Sequence, residues 1–290
     1  MKRFKYILLI LVVLFVWKHN VSVNQVTIPE DNLNEIESIV DDTSNGKVQV
    51  NYLYVAAIAS AETDGETVNT SQISKITNLF IDKQGNQYKL KNINDVAAEL
   101  YFTKDQKDKV QTYLQQFNAK HTNDNTTQQK FIQSLERPAI ENYHEYGILP
   151  SVTIAQAILE SNWGKSQLSQ DYNNLFGIKA HNWKGATASL DTKEHYNQKV
   201  KSSFRVYDTL TASVKDHGLF LNENPRYKKH GVFSSNTYME QAMALQEAGY
   251  STAKNENGEK IYSELLINLI KQHDLQLLDS QVQMEKSKSV

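Results

Sequence analysis

The chain contains no cysteine in its 290 residues, which excludes disulfides, thiolate metal ligands and a cysteine nucleophile together. Packing alone must stabilise it. A polycationic block is also missing: 31 basic against 33 acidic side chains leave a formal net charge of −2, so nucleic acid is not an expected partner. The pattern HExxH is absent and His181, His195 and His217 stand at no metal-ligand spacing, so neither a metal nor another cofactor is expected. A long membrane-filling apolar run is lacking too. The apolar stretch at residues 6–17, preceded by Lys2, Arg3 and Lys5, falls short of the roughly 20 residues that cross a bilayer. No small-x-small cleavage site follows it. With Lys5 and Lys18 snorkelling, residues 4–23 make a marginal span. The expectation is therefore an uncleaved signal anchor over residues 1–23 in preference to a cleaved signal peptide, with the basic N-terminus cytoplasmic and the rest of the chain outside the cell membrane. A marginal span gains from burial against another protein, which makes an integral membrane protein an expected partner.

Residues 24–128 read as an N-terminal accessory region without a chemical motif. Residues 26–46 are acidic, with Leu33, Ile36 and Val40 at helical spacing. Residues 48–61 (VQVNYLYVAAIASA) begin with strand-like alternation and end rich in alanine, so pattern leaves their type open. The run DKQGN is a turn signal before a short strand at residues 87–90, and residues 94–117 repeat apolar side chains at helical intervals. Residues 121–129 (HTNDNTTQQ) are uniformly polar and read as a linker. A second region, residues 129–279, restarts with Phe131, Ile132, Leu135, Ala139 and Tyr143 on one helical face, where Pro138 predicts a kink or break. Residues 280–290 read as a polar, frayed tail.

The most informative stretch is residues 150–164, PSVTIAQAILESNWG. Pro150 stops what precedes it, Ser151 is a cap candidate and Gly164 a left-handed stop. Between them only Thr153 and Gln156 are polar before Glu160, which predicts a helix buried on nearly every side. Glu160 then falls at the negative end of that helix among apolar neighbours. Both conditions disfavour its charged form and predict a raised pKa, the property of a general acid near neutral pH. The downstream run YNNLFGIK joins amides and an aromatic ring in a tight loop, a mixture suited to sugar rings and acetamido groups.

The runs GILPSVTIAQAILESNWGKS and NNLFGIK resemble the glucosaminidase family of peptidoglycan hydrolases, glycoside hydrolase family 73. The resemblance continues through Trp183, residues 186–194, the run FRVY at 204–207 and the run AGYST at 248–252, about half of the chain. With an N-terminal anchor and an extra module, the chain is further similar to the membrane-anchored, SagB-type members. The resemblance implies an α+β fold, mainly α: a lysozyme-like glucosaminidase domain with a small β-hairpin lobe, beside the N-terminal accessory module. The residues agree, since 186–190 and 203–207 read as strands with 197–199 as the turn between them. Asp208 is a cap candidate for the next helix, Thr237 with Glu240 forms a capping-box pattern, and residues 261–270 carry a last amphipathic stripe.

The same resemblance implies roles. Glu160 matches the catalytic acid and Glu194 the second carboxylate, although Glu194 by itself reads as a solvated strand charge. Tyr250 matches the aromatic of the GYxT motif, followed here by the longer loop AKNENGEK, and Asn174, Phe176 and Trp183 are the substrate-binding candidates. The implied activity is endo-β-N-acetylglucosaminidase action on peptidoglycan glycan strands near the membrane. A lytic transglycosylase, a muramidase and a non-catalytic glycan-binding wall scaffold stand as alternatives.

Overall fold

A computed structural model describes residues 30–65, 68–122, 126–194 and 198–288. The expected anchor, residues 1–23, lies outside the described residues, and among the described ones no helix is long and apolar enough to cross a membrane. The fold is mainly helical with two small two-stranded antiparallel sheets, as the expected α+β, mainly α class requires.

Two apolar cores organise the chain. The first is built by α1 (Glu30–Ser44), α2 (Tyr52–Thr63), α3 (Thr70–Leu79), the hairpin β1 (Ile81–Gln84) and β2 (Gln87–Leu90), α4 (Ile93–Glu99) and α5 (Lys104–Thr122). The ambiguous segment at 48–61 becomes α2 because the Asn51 side chain accepts from the amides of Leu53 and Tyr54, starting a helix where the alternation ended. Its alanines then pack without side-chain entropy cost on nearly all sides. The helical spacing over 94–117 is carried by two helices, parted at Tyr101, which takes a left-handed φ of 55°. The expected linker is shorter than the polar run suggested: α5 reaches Thr122, and the Thr126 side chain already caps α6 (Thr127–Tyr146).

The second core gathers α6, α7 (Pro150–Ser161), α8 (Gln167–Tyr172), α9 (Leu210–Glu223), α10 (Pro225–Lys229), α11 (Tyr238–Glu247) and α12 (Tyr262–Gln272). Helix α6 runs unbroken through Pro138, which is itself buried in that core. Its packing face outweighs the single backbone hydrogen bond a mid-helix proline removes. Strands β3 (Thr187–Glu194) and β4 (Gln198–Arg205) form the hairpin lobe, with Thr187 opposite Arg205 and Glu194 opposite Gln198. Both strands are longer than expected; Gln198 and Lys199 belong to β4, and Asn197 of the expected turn lies outside the described residues. Thr209, not Asp208, caps α9. Glu240 reaches back past Thr237 to the amide of Asn236 while the Thr237 hydroxyl turns toward Asn45, so the expected capping box does not form.

The polar tail is the largest departure. Residues 276–288 form a last helix, α13 (Gln276–Lys288), wedged between the two cores. Leu277 and Met284 pack on the first core and Leu278 on the second, while Val282 and Asp279 are fully buried. Its polarity misled because Gln276, Asp279 and Gln283 bond to groups of other elements across the seam. The Gln283 side chain accepts from the Gln49 amide and donates to the Asn236 carbonyl, and Gln276 donates to Glu37. Asp41 of α1 extends the seam, receiving Tyr238 Oη, Gln49 Nε2 and, at 3.2 Å, Lys271 Nζ.

Asp279 also decides how α7 begins. Pro150 occupies its first position, and Leu149 before it offers no side-chain cap. Ser151, the expected cap, lies inside the helix, where its amide donates to Asp279 Oδ1 at 2.9 Å and its hydroxyl to Asp279 Oδ2. The Asp279 carboxyl of α13 thus caps α7 from 128 residues away. At the other end the left-handed turn starts at Asn162 and continues through Trp163 to Gly164, earlier than the expected stop.

Burial pushes the Asp279 carboxyl up to about 7 from an ordinary value of 3.8. A raised carboxyl favours the folded state in its protonated form, so its contribution is complete below about pH 4 and is lost as the pH climbs through 7. Thermal melts of the full chain are expected to fall in midpoint between pH 5 and pH 8, and Asp279→Asn to flatten that fall. An equally steep decline in the variant would remove Asp279 as its source.

Candidate active site

Glu160 stands on the last turn of α7, at the floor of a cleft of ≈ 420 Å³ whose walls include Phe176, Lys179, Arg205, Arg226 and Tyr250. The Tyr262 hydroxyl, from α12, donates to Glu160 Oε1 at 3.0 Å. That hydroxyl in turn accepts from Gln156 Nε2 at 3.0 Å. Gln156 lies four residues before Glu160, hence on the same helix face, and forms a buried relay through Tyr262 to the carboxyl. The Glu160 residue keeps an exposed surface toward the cleft, yet the protein packed around it raises its carboxyl pKa. Desolvation is the larger cause, and the Tyr262 donation, which favours the carboxylate, opposes it.

A wall of rings surrounds this relay. Tyr250 stacks on Tyr262 at 5.4 Å between centroids and meets His217 edge-on at 6.1 Å, its hydroxyl 3.4 Å from His217 Nε2. Burial, with the Glu160 charge adding to it, drives the Tyr250 phenol well above its ordinary value, so it remains a neutral donor. His217 is fully buried, and desolvation drops its pKa to about 3, which keeps it uncharged. Phe176 covers it, stacked at 3.9 Å and 11°. The ring expected to touch sugar therefore also seals a neutral imidazole.

The structure sorts the remaining candidates. Glu160, Phe176 and Tyr250 come together in the cleft. Asn174 does not present its amide there: it is 1% exposed, accepts from the Ile178 amide and donates to the Ile178 and Arg205 carbonyls. It braces the NNLFGIK loop against β4. Trp183 stands behind Arg205 at the base of the hairpin, its Nε1 donating to the Ala186 carbonyl and its ring 4.8 Å from the Arg205 guanidinium. Arg205 is held by Asp216. Both candidates thus shape the site from behind. Glu194 is the last residue of β3, and its side chain lies outside the described residues. Among the described residues no group of histidines and carboxylates is arranged to hold a metal ion.

Sequence reasoning missed Tyr262, Gln156, Arg226 and His181. Gln156 had left a signal, because a lone amide in an otherwise apolar helix must find a buried partner. Tyr262 had none beyond its place on an amphipathic helix.

A family model described as "Glucosaminidase: Mannosyl-glycoprotein endo-beta-N-acetylglucosaminidase" matches residues 136–275. The chain is 38% identical over 167 residues to the exo-glucosaminidase LytG of Bacillus subtilis, covering 56% of this chain and 57% of LytG. It is 36% identical over 150 residues to the peptidoglycan hydrolase FlgJ of Escherichia coli, covering 49% and 45% respectively. The chain thus spans about half the length of these curated relatives. The crystal structure of the catalytic domain of the autolysin Auto from Listeria monocytogenes is similar with a TM-score of 0.48 and 29% identity, covering 61% of this chain and 98% of that one.

Replacing Tyr262 by Phe is expected to raise the Glu160 pKa further, because the lost donation had favoured the carboxylate. The change strands Gln156 Nε2 and costs about 1–3 kcal/mol of stability. A carboxyl-carbon NMR titration of Glu160 together with urea unfolding checks both; an unmoved or lowered titration midpoint contradicts the relay.

Proposed function

Residues 136–275 belong to the glucosaminidase family of glycoside hydrolases, and from that premise we propose that the chain is an endo-β-N-acetylglucosaminidase. It hydrolyses the bond from N-acetylglucosamine to N-acetylmuramic acid in peptidoglycan glycan strands. One observation carries this reading: the carboxyl of Glu160, with its pKa raised by burial and its orientation fixed by Tyr262, opens onto the cleft. A carboxyl that holds its proton toward neutral pH can give it to the glycosidic oxygen as the bond to the anomeric carbon breaks. Water adds to that carbon and loses a proton, so one water is consumed for each bond cut. Glu194 on the hairpin serves as the second carboxylate, activating the water or orienting the substrate's acetamido group. Tyr250, neutral and half-buried in the wall beside Glu160, donates a hydrogen bond to the sugar at the cleavage point.

The name of FlgJ, a peptidoglycan hydrolase, supports peptidoglycan as substrate, and that of LytG, an exo-glucosaminidase, supports cleavage at a glucosamine residue. Residues 1–23 tether the enzyme with its N-terminus cytoplasmic and its catalytic domain outside, against a membrane protein that covers the marginal span. That placement favours nascent strands near the membrane over the outer wall. In cell fractionation the full chain is expected in the membrane pellet, and deletion of residues 1–23 to release it; retention after the deletion contradicts the tether.

Glu160→Gln is expected to fold and to lower the hydrolysis rate by roughly a hundredfold or more, within the range that general acid catalysis supplies. Mass spectrometry of digests is expected to show N-acetylglucosamine at the new reducing ends of internal fragments. Muramic acid there indicates a muramidase, and anhydro-muramic ends a lytic transglycosylase. Release of terminal sugars alone indicates exo action. Binding without hydrolysis, unchanged by Glu160→Gln, indicates a wall scaffold.

A further inference from the structure

Two arginines line the same cleft, and the chain treats them in opposite ways. Arg205 is neutralised where it stands: its guanidinium meets both oxygens of Asp216 at 2.9 and 2.7 Å, the two side chains being 14% and 9% exposed. Its face rests on Trp183. Where an arginine serves the architecture, this chain supplies its carboxylate. Arg226, on α10, is exposed and has only neutral partners among the described residues. It donates to the Tyr227 hydroxyl at 2.5 Å and to the Gly249 carbonyl at 3.4 Å, with its guanidinium 4.6 Å from the Tyr227 ring. Those contacts hold the planar fork in place while leaving its charge unmatched and several of its five donors open.

Its surroundings reinforce the imbalance. The run RYKKH continues past Arg226 with Lys228, Lys229 and His230, all exposed and without an acid among them. Lys179 and His181 line the same cleft, and among the described lining residues Glu160 is the only acid. Glu160 must itself be protonated to act. Among the described residues, the lining of the cleft thus holds more basic side chains than acidic ones. Recognition of a neutral oligosaccharide needs no such charge, whereas a preoriented guanidinium with free donors matches a carboxylate in two parallel hydrogen bonds. Arg226 is also next to the reacting centre, because it bonds the carbonyl preceding Tyr250 and its platform, Tyr227, lies 6.2 Å from the Tyr250 ring.

We propose that Arg226 is the carboxylate receptor of this cleft: it binds an acid carried on the lactyl arm of the muramic residue, so the site selects charged glycan strands over neutral ones. The inference rests on the glycan-strand reading above. Two sources share this chemistry, the free lactyl carboxylate of a peptide-stripped strand and the carboxylates of an attached stem peptide.

The experiment compares kcat/KM on three strand preparations of equal length: stripped strands with free lactyl acids, the same strands with those acids converted to amides, and strands bearing stem peptides. The full-length wild type, Arg226→Gln and Arg226→Lys are assayed at low and high salt. Wild type is expected to prefer an acid-bearing preparation over the amidated one by about tenfold through KM, with the preference shrinking in salt. Arg226→Gln is expected to bring the ratio close to one and Arg226→Lys to restore part of it. A preference for the free-acid strands identifies the lactyl carboxylate, and one confined to peptide-bearing strands identifies the stem peptide. A wild-type ratio near one, or a ratio that Arg226→Gln leaves intact, overturns the proposal. If wild type cuts none of the three preparations, the glycosidase reading itself has failed.

Discussion

Helix α7 is buried from Pro150 to Ile158, and covering it while leaving one carboxyl at its end accessible is the constraint the rest of the second core answers. Neighbouring helices supply the cover. The ends are harder, because a buried helix terminus leaves backbone groups that water cannot reach. At the start, Asp279 and Gln241 take the amides of Ser151 and Leu149. At the finish, Ser161 Oγ accepts the Gly164 amide while the chain turns left-handed. With both ends fixed, the position of Glu160 is set by the helix itself, and only its side-chain torsions remain for Tyr262 to hold.

This arrangement gives α13 and the accessory unit a part in the site that their sequences did not announce. α13 carries Asp279 to the head of α7, and the seam beside it is held by Asp41, Glu37, Gln49 and Gln283 through hydrogen bonds that are mostly buried. Such bonds are strong in a low-dielectric seam and costly when left unmade. The accessory unit is therefore part of the scaffold under α7. The hairpin lobe, by contrast, is tied down at its base, where Arg205, Asp216, Tyr207 and Trp183 interlock.

Most of the second unit was readable from residue order. Periodicity and the apolar run at 150–159 predicted a core helix, and the acid at its end predicted a raised pKa, because both follow from neighbours a few positions apart. The motif NNLFGIK predicted a tight loop from its local chemistry, and Asn174 closes that loop on Ile178 four residues on, while its bond to the Arg205 carbonyl is long-range. Pattern failed where polarity was balanced at a distance. Residues 280–290 looked like a frayed tail because the partners of Gln283, the Gln49 amide and the Asn236 carbonyl, lie 234 and 47 residues earlier. Asn174 looked like a sugar ligand because an amide's type does not say whether its bonds are already used.

The sequence by itself thus determined the core helix, the acid it ends on and the family of the domain around it, all of which are written in local spacing. Only the tertiary structure decided what orients that acid and what caps its helix. Tyr262 and Asp279 reach α7 across 102 and 128 residues, and a hydrogen bond between groups so far apart in the chain is set by packing, which leaves no period in the sequence to read. The same holds for the two arginines of the cleft. Their residue type is identical, and only the fold places Asp216 against one of them and open space beside the other.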